Sequence, residues 1–210
     1  LFRSTAKETG LFKAHADVAK KSITAEVCIH HLWFSDEDYA RLGSKIKWNP
    51  AVKTAADRAG LRKALLEDRI DVIATDHAPH TKEEKANEYT TAPSGGPLVQ
   101  HALVALLELY HQGVISLEKI VEKFAHNPAK LFDIRDRGFI RPGYKADLVL
   151  VDLNAPWTVN KSNILYKCGW SPFDGNKFKG TPVATIINGE VKMRDGKIIG
   201  DPSGQPLKFS

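Results

Sequence analysis

The sequence predicts an α/β fold that gives way near residue 137 to a small all-β segment, and three observations carry that reading. A short apolar run, Asp71-Val72-Ile73-Ala74-Thr75, is followed at once by the polar cluster Asp76-His77-Ala78-Pro79-His80. Such a run fits a strand covered on both faces, as in a parallel sheet. Segments of helical periodicity flank it, from Asp57 to Asp68 before and from Leu98 to His111 after. Beyond Gly138 the pattern breaks into short strands punctuated by glycines, with Asn188-Gly189 and Asp195-Gly196 as hairpin turn signals. No internal repeat is present, so the boundary rests on this change of pattern.

Taken in order, Ile23 to Ile29 has the β-branched content of a strand, and Ser35-Asp36-Glu37-Asp38 begins a loop or a helix cap. In the helix from Asp57 to Asp68, Leu61, Ala64 and Leu65 recur at helical spacing. Thr81 to Pro97 reads as a loop, because Pro93-Ser94-Gly95-Gly96-Pro97 is too rich in glycine and proline for an element interior. The helix from Leu98 to His111 places Leu103, Leu106, Leu107 and Tyr110 on one face, and Gly113 caps its end. Ser116 opens a further helix through Ala125, and Asn127-Pro128 starts a short one. The strands of the last segment are Ala146 to Asp152, Val183 to Ile187, Glu190 to Met193 and Lys197 to Ile199.

Composition narrows the class of protein. The 210 residues suit one large domain or two small ones, and 42% hydrophobic with 26% charged residues is ordinary for a globular chain. No stretch approaches the roughly 18 consecutive apolar residues of a membrane span. The start, Leu1-Phe2-Arg3-Ser4-Thr5, has neither an initiator Met nor a signal-peptide layout, so a fragment is expected. Cys28 and Cys168 form no CxxC pair, which points to a reducing, cytoplasmic setting. The net charge of +5 is spread among acids, as in Lys82-Glu83-Glu84-Lys85, so a solvated surface is expected rather than a nucleic-acid partner.

The chemistry concentrates at Asp76. Parallel-strand folds bind ligands at the carboxyl ends of their strands. A carboxylate there can bind a divalent cation and accept a proton from water, and a histidine four residues on can reach a substrate anion. On spacing alone an Asp that merely caps the following turn, with exposed His77 and His80, fits equally. His30 and His31 are adjacent, so on a continuing strand at most one could face a site, and a structural role is preferred for both, as for Glu26. Cys28 reads as a small core residue, His15, His101 and His111 as surface or helix-packing residues, and His126 as part of helix-end hydrogen bonding.

Several segments together resemble the dihydroorotases of the amidohydrolase superfamily. Thr75-Asp76-His77-Ala78-Pro79-His80-Thr81, with Glu84-Lys85 beyond, resembles the end of their barrel strand eight. Thr24-Ala25-Glu26-Val27 with His30-His31-Leu32 resembles strand seven, Lys47-Trp48-Asn49-Pro50 the substrate-binding Asn-Pro segment, and Ala92-Pro93-Ser94-Gly95 the loop that closes over the ring. His126-Asn127-Pro128-Ala129 and the stretch from Arg141 to Val149 resemble the link into a small β domain.

The resemblance implies the C-terminal part of a TIM-like (β/α)8 barrel over residues 1–136 and a small β-sandwich domain over 137–210. It implies a zinc-dependent cyclic amidohydrolase of pyrimidine biosynthesis that interconverts dihydroorotate and N-carbamoyl-aspartate, cytoplasmic and homodimeric in full length, with a small-molecule substrate. Asp76 would be a metal ligand and the base that activates a bridging hydroxide. Asn49 and His80 would bind substrate, and backbone groups of Ser94 and Gly95 would complete the pocket. Lys53 stands near where an Arg is common, exchanging a forked contact for a point charge. An HxH pair is missing, and Phe2 or Arg3 stands where a strand-six His would be expected. Since a catalytic zinc takes about three protein ligands, the chain alone is expected to bind zinc poorly, not to turn over, and to associate through exposed strand edges. A non-catalytic assembly domain and a hydantoinase- or allantoinase-type amidase are the alternatives.

Overall fold

The computed structural model describes residues 5–210, so the readings placed on Phe2 and Arg3 lie outside the described residues. After helix α1 (Ala6–Thr9), strand β1 (Glu26–Cys28) leads straight into helix α2 (Ile29–Trp33). The strand is therefore shorter than the β-branched run, and the alternation argument for His30 and His31 does not apply. Both sit in a helical turn, and both are buried. Helix α3 (Tyr39–Leu42) follows, and then α4 (Ala55–Leu66). The α4 helix starts before Asp57 because the Thr54 side chain is its cap, accepting from the Asp57 N–H at 3.1 Å. Leu61, Ala64 and Leu65 face the core as their spacing requires.

Strand β2 (Val72–Ala74) pairs in parallel with β1, Glu26 opposite Val72 and Cys28 opposite Ala74. A parallel pair needs a crossover, and α4 provides it. The start of β2 is fixed by a buried ion pair: Lys21 Nζ donates to Asp71 Oδ1 at 2.7 Å, with side chains 3% and 1% exposed. Asp71 Oδ2 accepts from the Ala25 N–H at 2.8 Å, and Asn127 Nδ2 donates to the Asp71 carbonyl at 2.9 Å. That one carboxylate holds the two strands in register.

The stretch read as a loop from Thr81 to Pro97 contains a helical turn, α5 (Lys82–Lys85). Its signal is a capping box: the Thr81 N–H donates to Glu84 Oε2 at 2.7 Å, and the Glu84 N–H to Thr81 Oγ1 at 3.2 Å. Helix α6 (Ala102–His111) buries Val104, Ala105, Leu106, Leu107 and Leu109. It is covered on more than the single face predicted, because the C-terminal segment brings Phe173 and Phe178 into the core it shares with Leu32 and Phe34. The helix opened by Ser116 is α7 (Leu117–Val121), continued by a π-helical turn, Glu122–His126, and by α8 (Asn127–Leu131). The His126 ring stacks on Phe139 at 4.3 Å, and it is the Asn127 side chain that donates a hydrogen bond from this helix, to the Asp71 carbonyl beside β2.

The C-terminal region contains β3 (Leu148–Asp152), β4 (Trp157–Thr158), β5 (Lys177–Phe178), β6 (Thr181–Ile187), β7 (Glu190–Arg194) and β8 (Lys197–Ile198). One antiparallel sheet has the order β3-β6-β7-β8, and β4 pairs separately with β5. Both turn signals hold: Asn188 and Gly189 have φ 51° and 86°, and Asp195 and Gly196 have 49° and 76°. Positive φ at both central residues is the hairpin geometry that matches strand twist. A single four-stranded sheet does not by itself establish the sandwich the resemblance implies, and its Val149, Leu150 and Ile198 are exposed.

Candidate active site

The chain leaves β2 through Asp76, which is half-buried and adopts a left-handed conformation with φ 48°. Short polar side chains tolerate that region best, so an Asp can turn the chain directly at the strand end. His77 follows and is committed to structure. Its Nδ1 accepts from the Leu98 N–H at 3.0 Å and from the Val99 N–H at 3.3 Å, so its proton sits on Nε2. Burial lowers the His77 pKa, which keeps the ring in that neutral, accepting form.

His80 lies between two oxygen acceptors. Its Nε2 is 3.2 Å from the Ser94 carbonyl, and its Nδ1 is 3.5 Å from Glu84 Oε2. The Thr81 N–H, and after it the His80 ring, holds the Glu84 carboxyl below its ordinary range. The His80 carbonyl accepts from Trp170 Nε1 at 2.7 Å, which ties this turn to the C-terminal segment.

The glycine-rich loop closes onto the same rim. Gly95 has φ +123°, and a Cβ there would stand 2.5 Å from the Ala78 carbonyl oxygen. The close approach is thus made by the Asp76 turn itself, and only glycine permits it. The Ala78 N–H donates to the Gly96 carbonyl at 3.2 Å, and the Gly95 N–H donates to the Lys47 carbonyl at 2.9 Å. The second bond brings in the segment carrying Asn49, an exposed residue whose peptide bond to Pro50 is cis. The structure joins His80 directly to Ser94, and the Gly95-Gly96 backbone to Lys47 and Ala78; Asn49 and Asp76 each lie two residues along the chain from those contacts.

The donors available for a cation are divided. Asp76 offers one carboxylate at the strand end, whereas a catalytic zinc takes about three protein ligands. Among the described residues, Cys28, His30 and His31 form a buried group whose ligand atoms all lie within 4.8 Å of one another. His31 Nε2 also lies 3.1 Å from the Pro50 carbonyl, and the His30 ring stacks on Trp48 at 4.2 Å. Asp76 is not in that group, so the described residues do not make a complete zinc centre around it. Hollows of about 580 and 310 Å³, the first lined by Arg58 and Arg62 and the second by Lys82, Lys85 and Trp170, also exclude Asp76.

Two lysines that sequence reasoning passed over donate to backbone carbonyls here, Lys85 Nζ to Gly95 at 2.8 Å and Lys47 Nζ to Ala92 at 2.6 Å. The capping box from Thr81 to Glu84 announces the turn that Lys85 ends, but not that its side chain turns inward. His101 is fully buried, which excludes a surface role. Its Nδ1 lies 3.0 Å from Ser171 Oγ and 3.2 Å from the Tyr166 hydroxyl, and burial lowers its pKa to about 4. An unfolded His titrates near 6.5, so between those values the unfolded chain binds the extra proton. Stability should therefore fall by up to about 3 kcal/mol as pH drops from about 6.5 to 4, and be insensitive to this group above 7. Urea midpoints measured across pH should show that slope, and a His101→Gln variant should lack it.

The chain belongs to the amidohydrolase family, whose model matches residues 2–192. Among curated relatives it is 39% identical over 204 residues to the dihydroorotase of Pyrococcus furiosus, covering 97% of this chain and 47% of that protein. It is 40% identical over 185 residues to the dihydroorotase of Halobacterium salinarum, covering 88% and 43%. Of solved structures, the L-hydantoinase of Arthrobacter aurescens superposes with a TM-score of 0.85 at 29% identity, covering 94% of this chain and 45% of that one. The chain thus spans less than half the length of the relatives it matches. The likeness makes the β1–β2 pair and its helices part of a TIM-barrel-type α/β fold, in a family that is in general metal-dependent. No helix of the described residues is long and apolar enough to cross a membrane.

Proposed function

We propose that this chain supplies the C-terminal half of a zinc-dependent dihydroorotase, which hydrolyses the cyclic amide of dihydroorotate reversibly to N-carbamoyl-aspartate in pyrimidine biosynthesis. The observation that carries the reading is the left-handed Asp76 at the end of a parallel strand, on the rim where the His80, Ser94-Gly95 and Lys47-Asn49 segments meet. The dihydroorotase names of the curated relatives support it.

In this reading Asp76 is one zinc ligand, and the remaining ligands come from segments outside residues 5–210. Bound zinc supplies Lewis-acid polarisation at the scissile carbonyl. Asp76 takes a proton from the attacking water as the new C–O bond forms at the ring amide carbon. It returns that proton to the ring nitrogen as the C–N bond breaks, leaving a carbamoyl NH2 and a carboxylic acid that ionises to the carboxylate by releasing its proton to solvent. His80 and Asn49 bind the substrate carboxylate and ring. Ser94 contributes backbone contacts, and Gly95, whose N–H is held by Lys47, contributes mainly the close fit of the loop. We further propose that residues 1–136 are barrel and 137–210 one part of a β-sandwich, that the protein is cytoplasmic, and that it works as a homodimer.

A hydantoinase-type amidase is the second reading, favoured by the L-hydantoinase superposition. Assay of the full-length, zinc-loaded protein against dihydroorotate, hydantoin and allantoin decides between them. Dihydroorotate should be hydrolysed at least a hundredfold more efficiently than the others. Preference for hydantoin would establish the second reading, and inactivity on all three would leave a non-catalytic assembly domain.

A further inference from the structure

Lys85 is a lysine 2% exposed, and among the described residues no carboxylate pairs with it. Its Nζ donates to three carbonyls, those of Pro93 and Gly95 at 2.8 Å each and that of Lys47 at 3.2 Å. An ammonium has three N–H donors, so the match is complete. The acceptors belong to two segments distant in sequence, one carrying Asn49 and the other carrying Ser94 and Gly95. Ser44 Oγ donates to the Lys85 carbonyl, which anchors the lysine's own backbone. A second ammonium works on the other end of the loop, with Lys47 Nζ donating to the carbonyls of Tyr89 and Ala92 at 2.6 Å each.

A buried cation without a counter-charge is costly and is expected only where something compensates it. Carbonyl dipoles do so in part. The remaining positive charge lies directly behind Ser94 and Gly95, the loop assigned above to an anionic substrate. Burial, and secondarily the neighbouring Lys47, pulls the Lys85 pKa down to about 8, so the full set of donors is still present at neutral pH.

We propose that Lys85 is a positioning residue for substrate binding: its ammonium locks the Ser94-Gly95 loop to the Lys47-Asn49 segment and so sets the shape of the carboxylate-binding rim. This rests on the dihydroorotase reading for the identity of the ligand, but the locking itself can be read without any substrate.

The test uses the full-length protein and a Lys85→Met variant, which keeps the stem and removes the donors. Hydrogen exchange should quicken at least tenfold across residues 86–97 and stay unchanged in α6. With dihydroorotate, KM should rise at least tenfold while kcat changes less than about threefold. Lost folding alone would lower kcat through the active fraction and leave KM in place. Should Lys85→Met fail to fold, Lys47→Met, whose side chain is more accessible, should give the same KM rise in smaller measure. Unchanged exchange over 86–97, or a fall in kcat at constant KM, would overturn the proposal. A wild-type protein inactive on dihydroorotate, with quickened loop exchange in the variant, would instead refute the functional reading and leave the lock intact.

Discussion

Asp76→Asn in the full-length protein should lower turnover of dihydroorotate by about a hundredfold to ten-thousandfold, the range general-base removal produces. The amide cannot accept the proton of the attacking water, and it is a poor replacement for a carboxylate on a divalent cation. Folding should be nearly unaffected, because Asn tolerates the left-handed backbone found at this position almost as well as Asp. Steady-state rates paired with thermal unfolding read both quantities in one preparation. If Asp76→Asn keeps more than a tenth of wild-type turnover, Asp76 is a turn-former and not the base.

Asp71→Ala should cost about 3–5 kcal/mol of stability, the largest change expected from a single side chain outside the site. The reason lies in what stays behind. Lys21 would remain buried as an unpaired cation, and the Ala25 N–H would lose its acceptor at the start of β1. Denaturant midpoints should report the loss, and Lys21→Met combined with Asp71→Ala should recover part of it, since no charge is then left unpaired. A single-variant loss under about 1 kcal/mol would mean that water reaches this pair.

The elements that sequence made plain are those whose signals are local. Leu61, Ala64 and Leu65 repeat at the helical period, and they bury as α4. Asn188-Gly189 and Asp195-Gly196 need left-handed backbone at both positions, which their side chains allow, and both turns formed. The strand before Asp76 was also legible, because its apolar run has no polar face. What was hidden depends on tertiary packing. The β-branched residues from Ile23 to Ile29 extend well beyond β1, since the helical turn of His30 and His31 is imposed by burial against Trp48 and not by propensity. Strands β4 and β5 have two residues each, too few for alternation to register.

The candidate site divides in the same way. Asp76 and His80 stand in one continuous motif, so their proximity to the strand end followed from chain order alone. The pairing of His80 with Ser94, and the joining of both to Lys47 through Gly95, depends on backbone atoms that every residue possesses, and these leave no compositional trace. Lys85 looked like one more charge in a solvated run, because Lys82-Glu83-Glu84-Lys85 gives no hint that its last member turns inward.

The manner in which the two ammoniums are held has an effect on tolerance to electrolyte. Lys47 and Lys85 grip peptide oxygens rather than carboxylates, so dissolved ions have no pair of opposite formal charges to come between. Brine that would dissolve surface pairs such as Lys63 with Glu67 should leave this mouth in its present outline.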